Sequence, residues 1–114
     1  MHELSLTLSV LDIIEQHAAT HQFKKVNSIR LSLGRLSCIM PKAIEFAFDV
    51  QAQNTRAEGA KLIFDIVPAT IHCFSCDKDS EIDFFTGFCE KCGASNVLLT
   101  GGTEELKIIE LDVD

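Results

Sequence analysis

Four of the five cysteines stand as two pairs, Cys73-Phe-Ser-Cys76 and Cys89-Glu-Lys-Cys92, with twelve residues between the pairs. A CxxC turn aims two sulfurs at one point, and two such turns facing each other complete a tetrahedron around one ion. Zn²⁺ takes four thiolates at ~2.3 Å and has no redox chemistry of its own. Iron also accepts four thiolates, so the ligands are better defined than the metal. Disulfides or a redox CxxC pair are the other readings, and a reducing compartment disfavours both. Four protein sulfurs leave no open position, so the expected role is structural. Between the pairs, Ile82-Asp83-Phe84-Phe85 and Phe88 are β-prone, and Gly87 offers a turn, which predicts a hairpin joining the two knuckles. Gly93, after the second pair, suits a positive φ. His72, beside Cys73, either hydrogen-bonds a sulfur or is an exposed neighbour.

The chain opens Met1-His2-Glu3. A free α-amine, the His2 imidazole and the first amide nitrogens can close chelate rings on one ion. Nitrogen-rich planar coordination is typical of Cu(II) or Ni(II), and Glu3 adds a carboxylate. The first N–H groups of a helix have no intrahelical partner, so binding metal there breaks no ladder bond. A cation does meet the positive end of the helix dipole, which Glu3 offsets. Metal must displace protons from such ligands, so affinity falls with acidity. An exposed histidine at a frayed terminus is the plainer alternative. Two other features fit ordinary structural roles. Cys38 reads as a small buried residue. His17 and His21, four apart, share a helix face without an accompanying catalytic carboxylate and read as a solvated helix end.

Residues 3–20 should form a helix, because Leu4, Leu8, Leu11 and Ile14 recur at helical spacing, continued by Ala18 and widened by Leu6, Val10 and Ile13. From Val26 to Leu33 the period becomes two, with Ile29, Leu31 and Leu33 on one face, and Gly34 ends the strand. Pro41 opens a second helix whose stripe is Ile44, Ala47 and Phe48, and Asn54 and Gly59 mark its exit. Leu62, Phe64 and Ile66 alternate in a second strand closed by Pro68, and a last strand spans 106–111. This order predicts an α+β fold: a three-stranded sheet covered on one face by two helices. Residues 1–70 and 101–114 form that domain, and residues 71–100 an inserted zinc-ribbon-like unit. The two strands flanking the insertion are expected to be neighbours in the sheet.

The formal net charge is −7 over 114 residues. Four thiolates on Zn²⁺ add negative charge, so phosphate backbones are repelled and nucleic acid is disfavoured as a partner. A zinc-ribbon interaction or nucleic-acid module is the alternative from another class, and a hydrolase or redox enzyme finds no triad, phosphate loop or open metal site. No apolar run approaches ~20 residues, and the start lacks a basic n-region, so a cytoplasmic protein free of membrane is expected. The acidic residues Glu104, Glu105, Glu110, Asp112 and Asp114 read as a solvated strand face and tail.

The whole chain resembles the hydrogenase nickel-incorporation family, the HypA/HybF-type metallochaperones. The resemblance rests on Met1-His2-Glu3-Leu4, Leu33-Gly34-Arg35-Leu36-Ser37-Cys38, Phe46-Ala47-Phe48-Asp49, Ala57-Glu58-Gly59-Ala60-Lys61-Leu62 and the two CxxC pairs. It implies a nickel domain and a zinc domain, and no catalysis. It implies transferable Ni(2+) held by His2 with the Met1 amine and Glu3, and structural Zn(2+) held by Cys73, Cys76, Cys89 and Cys92. Its implied partners are a maturation GTPase and the [NiFe]-hydrogenase large subunit, with the chain a monomer or weak homodimer. Two positions depart from the family habit: Asp77 stands where Gly often follows the first pair, and Glu90 where Pro often lies within the second.

Overall fold

A computed structural model describes residues 2–103 and 106–114. Met1, Glu104, Glu105 and the side chain of His2 lie outside what it describes, so the expectations placed on them are not addressed by it. The element order is α1 (His2–His21), β1 (Val26–Gly34), α2 (Pro41–Gln51), β2 (Lys61–Val67), β3 (Ala69–Cys73), β4 (Lys78–Ile82), β5 (Val97–Gly101) and β6 (Lys107–Val113). The fold is α+β, with two three-stranded sheets ordered β2-β1-β6 and β4-β3-β5. The chain divides into two compact units: residues 1–32, 39–65 and 106–114, and residues 33–38 and 66–105.

In the first sheet, β1 is the central strand because it has most to bury. Val26, Ile29, Leu31 and Leu33 are each 1% exposed or less, and only the middle position covers both edges of a strand. The half-exposed β2 and β6 are the edges. The strands flanking the insertion are therefore separated by β1, contrary to the sequence expectation. β1 and β6 are antiparallel, pairing Ile29 with Leu111 and Leu31 with Ile108, with irregularities at 26–28 and 30–31. Arg30 spans the sheet, reaching Asp65 at 2.9 Å and Glu110 at 3.7 Å.

Both helices pack into one core with this sheet. Val10, Ile14 and Ala18 of α1 meet Ile29, Leu31 and Phe48. The buried line of α1 runs Thr7, Val10, Ile14, Ala18, whereas Leu8 and Ile13 are exposed at 56% and 40%. That is a rotation of the stripe read from leucine spacing, and its cause is polar. Thr7 is fully buried because its hydroxyl meets Gln51 Oε1 of α2, with the Glu3 and Leu4 carbonyls 3.1 and 3.0 Å away. A buried hydroxyl is tolerated when so satisfied. In α2, Ile44, Ala47 and Phe48 are the buried stripe and Pro41 sits in the first turn, both as the sequence predicts. Asn54, at φ 66, takes the left-handed conformation at the exit, one that Asn adopts more readily than most residues.

The second unit has a small core of Ala69, Ile71 and Ile82, against which Leu36, Val97 and Leu99 pack. Its central strand β3 pairs antiparallel with β4, Ala69 opposite Ile82 and Cys73 opposite Lys78, and with β5, Cys73 opposite Val97. The predicted hairpin between the knuckles is not there: β4 ends at Ile82, and no strand is found from 83 to 96. The hairpin is instead β3–β4, folded around the first knuckle. Phe84, Phe85 and Phe88 are 77%, 51% and 48% exposed, so their aromatic character does not mark a strand face.

Candidate metal centre

The topology of the second unit brings the two knuckles together. Cys73 is the last residue of β3, and Cys76 lies in the turn that leads into β4. Asp77 completes that turn at φ 55. The position is left-handed, a region that Asp enters more readily than most residues other than glycine. The second knuckle precedes β5. There the Gly93 N–H donates to the Cys89 carbonyl at 2.7 Å, and the Cys89 N–H donates to the Ala94 carbonyl at 2.8 Å. Gly93 sits at φ 80, as the sequence suggested.

All four sulfurs lie within 4.8 Å of one another. Cys73 Sγ is 3.6 Å from Cys92 Sγ, and Cys76 Sγ is 3.9 Å from Cys89 Sγ. A regular tetrahedron with ~2.3 Å metal–sulfur bonds has edges of about 3.8 Å, so the cage already has the size that Zn²⁺ requires. All four thiols are unbridged. One member of each pair, Cys73 and Cys89, is buried, whereas Cys76 is partly buried and Cys92 is exposed. Such a site sits at the surface with its inner half fixed by the fold. Zinc there would hold the unit together, with no open position for a substrate.

The protonation pattern follows the same inner and outer division. The Cys76 amide, followed by the Ser75 amide, favours the Cys73 thiolate and lowers its pKa. Amides of Cys92 and Lys91 pull Cys89 down to about 6. The Cys73 sulfur and desolvation push Cys76 up to about 12. Cys92 feels the Ala94 amide pulling it down, but its neighbours Cys73 and Cys89 together with burial outweigh this and raise it. Before metal enters, the two inner sulfurs therefore carry charge first and the two outer ones hold protons. That is a prepared anionic pocket, since the thiolate is the ligand.

His72 does not bond a sulfur. Its Nδ1 is 2.7 Å from Asp79, its cross-strand partner in β4, and its Nε2 is 3.4 Å from Asp77. Its ring also meets Phe74 edge-on at 4.8 Å. The carboxylates tie the first knuckle to β4, a role unavailable to sequence reasoning until the β3–β4 register is known. Cys38 is exposed, not buried as expected, and holds φ 64 with its Sγ 3.7 Å from the Leu36 carbonyl. The tight turn after β1 decides this, because it directs the side chain out of the core. Among the N-terminal residues, Glu3 is partly buried in the first turn of α1, and its carbonyl lies 3.1 Å from the Thr7 hydroxyl. Thr7 and Gln51, whose contact joins α1 to α2, were not picked out in the sequence. The available signal was Thr7 standing one turn after Glu3 and in line with Val10 and Ile14.

No helix is long and apolar enough to cross a membrane, among the described residues. Over residues 1–113 the chain matches the family described as "Hydrogenase/urease nickel incorporation, metallochaperone, hypA". It is 52% identical over 114 residues to a hydrogenase maturation factor HypA of Syntrophus aciditrophicus, covering 100% of both chains. It is 35% identical to a hydrogenase maturation factor HybF of Klebsiella pneumoniae, covering 98% of each. In structure it is similar to a Ni metallochaperone HypA of Helicobacter pylori, with a TM-score of 0.65 and 23% identity over 97% of this chain and 96% of that one. That likeness concerns the fold. A second solution structure, of a HypA protein, also has a TM-score of 0.65, at 27% identity over 99% and 96% of the two chains. With the family pattern spanning the chain end to end and a four-sulfur cage that fits a structural zinc, this protein belongs to the HypA family of nickel metallochaperones for hydrogenase maturation.

Proposed function

We propose that this chain takes up Ni²⁺ at its N-terminus and passes it to the [NiFe]-hydrogenase large subunit, working with a maturation GTPase in the cytoplasm. In this reading the His2 imidazole is the principal ligand, the Met1 amine closes a chelate ring with it, and Glu3 supplies charge. Cys73, Cys76, Cys89 and Cys92 hold Zn²⁺, which fixes the second unit and takes no part in transfer. The chain acts without catalysis, as a monomer or weak homodimer. The observation that carries the reading is the full-length family match on a chain that opens Met1-His2-Glu3. Nickel incorporation by the family supports the cargo, and the hydrogenase maturation factors among the relatives support its destination.

The chemistry is consistent with delivery. A chelate built from an amine, an imidazole and amide nitrogen suits Ni(II), and because its ligands must lose protons to bind, it gives the ion up as acidity rises. Glu3 lies in the first turn of α1, where a carboxylate offsets the positive helix end that an incoming cation would meet.

The test is calorimetric titration of tagless, zinc-loaded protein with Ni²⁺, because a tag would occupy the amine in question. His2→Ala is expected to remove the tight nickel event while zinc content and circular dichroism stay unchanged. Unchanged tight nickel affinity in that variant refutes the assignment.

A further inference from the structure

The other end of α1 carries a pair of imidazoles with no assigned task. His17 and His21 are four residues apart, so they stand one above the other on the same helix face. Their rings are parallel within 10°, with centroids 5.8 Å apart. Both are exposed, and neither imidazole has a hydrogen-bond or ion-pair partner among the described residues. This sets them apart from His72, whose two nitrogens face carboxylates. Apart from their contact with each other, no polar group holds either ring among the described residues.

We infer that His17 and His21 form a second, exchangeable site for a divalent d-block cation, bound through one nitrogen of each ring. A metal–imidazole bond of ~2.0–2.1 Å plus the ring's own radius puts each centroid about 3 Å from a shared ion, so two rings on one ion stand no more than about 6 Å apart. The observed 5.8 Å meets that limit without moving the backbone. Rotation about χ2, a soft torsion, turns the in-plane lone pairs from parallel to convergent. Imidazole suits Ni, Cu and Zn, and hard cations such as Mg²⁺ prefer oxygen, which sets the chemical class of the ligand.

The surroundings make the site weak and open. His17 and His21 line a groove of about 560 Å³ between α1 and the edge strand β6, together with Ile13, Phe23, Lys107 and Glu110. Lys107 opposes a cation and Glu110 favours one, so the groove adds no net charge. Glu110 also leans towards Arg30 at 3.7 Å and is not committed to the histidines. Among the described residues no third ligand joins the pair; the cysteine cage is the only group of three or more. Water completes the coordination, and the ion leaves as easily as it arrives. The site lies about four helical turns from the first residues of α1, since fifteen residues at ~1.5 Å rise separate His2 from His17 by about 22 Å. It is therefore a separate site, independent of the N-terminal reading.

The experiment uses the tagless, zinc-loaded protein, with Ni²⁺ itself as the probe. Proton NMR follows paramagnetic broadening of the histidine ring signals in the wild type, in His2→Ala, and in His2→Ala combined with His21→Ala. The His2→Ala protein is expected to keep a weak nickel event that broadens His17 and His21 together and is saturable. Removing His21 should weaken that event about tenfold or more, as a chelate becomes a single ligand. A spacing control, also made in His2→Ala, combines His21→Ala with Ala19→His, which keeps two histidines on α1 but at i,i+2, where they do not share a face. That protein should behave like the variant lacking His21 alone. Broadening that persists unchanged in either variant, or that is absent in His2→Ala, overturns the inference. The wild-type and His2→Ala titrations separately report the tight event, so either reading can fail alone.

Discussion

Replacing Gly102 by Ala should destabilise the second unit far more than its single methyl group suggests. Gly102 sits at φ 87, and a Cβ placed there would lie 2.4 Å from the Ala69 Cα, 2.7 Å from its Cβ and 2.8 Å from its N. The φ alone costs an alanine about 1–2 kcal/mol. The overlap adds roughly 1–3 kcal/mol, because two of the three contacts are backbone and no rotamer change relieves them. The sum is about 3 kcal/mol, or roughly a hundredfold in the opening equilibrium at ~1.4 kcal/mol per decade. Gly87→Ala is the matched control: φ is 84, but nothing lies within 4 Å, so only the conformational cost applies. Amide hydrogen exchange of β3 in zinc-loaded protein reads the difference, with Gly102→Ala exchanging at least tenfold faster than Gly87→Ala. Zinc should stay bound in both, since Ala69 and Cys73 are at opposite ends of β3, about 13 Å apart at ~3.3 Å per residue. Equal exchange rates in the two variants would refute the claim that close approach at Ala69, rather than φ, is what requires glycine.

Cys89→Ser should abolish stoichiometric zinc and open β3–β5 to exchange, since the buried apolar core there is small, formed among the described residues by Ala69, Ile71 and Ile82. The cluster of Val10, Ile14, Ile29, Leu31 and Phe48 should hold α1 in place, so near-native helical dichroism is expected, and its loss would argue against two separable units. Thr7→Val leaves Gln51 Oε1 without its donor and should cost about 1–3 kcal/mol in denaturant unfolding; a neutral result would mean Gln51 finds water instead. Zinc affinity should fall as pH drops, because protons on sulfur must be displaced. Cys76 and Cys92 are raised and hold their protons at neutrality, and Cys89, lowered to about 6, joins them only below that value. Calorimetry of the metal-free folded protein in buffers of different ionisation enthalpy should therefore show at least two protons released near neutrality, from Cys76 and Cys92, and more below about 6 as Cys89 is protonated. A constant proton count across this range would contradict the inner and outer division of the cage.

Local rules were enough to read much of this molecule from the residues in order. The CxxC spacing picks out the four sulfurs that the fold gathers into one cage, because each turn is a local object, whatever surrounds it. Pro41, the Ile44-Ala47-Phe48 stripe and the alternation of β1 and β2 place their elements for the same reason. The failures share a cause, which is dependence on partners distant in the chain. The leucine pattern of α1 could not show that Thr7 points inward, since Gln51, forty-four residues away, is what satisfies it. Neighbour order in the first sheet was decided by β1 having the most to bury, a comparison among strands that no single strand contains. The missing hairpin between the knuckles has a similar origin: β4 finds its register against β3, leaving Phe84, Phe85 and Phe88 with nothing to pack on. Cys38 is exposed by the geometry of one turn, and His72 is held by Asp79 only because the β3–β4 ladder puts them opposite each other. Chemistry-bearing residues were visible in the chain; which way they face, and who answers them, was settled by packing.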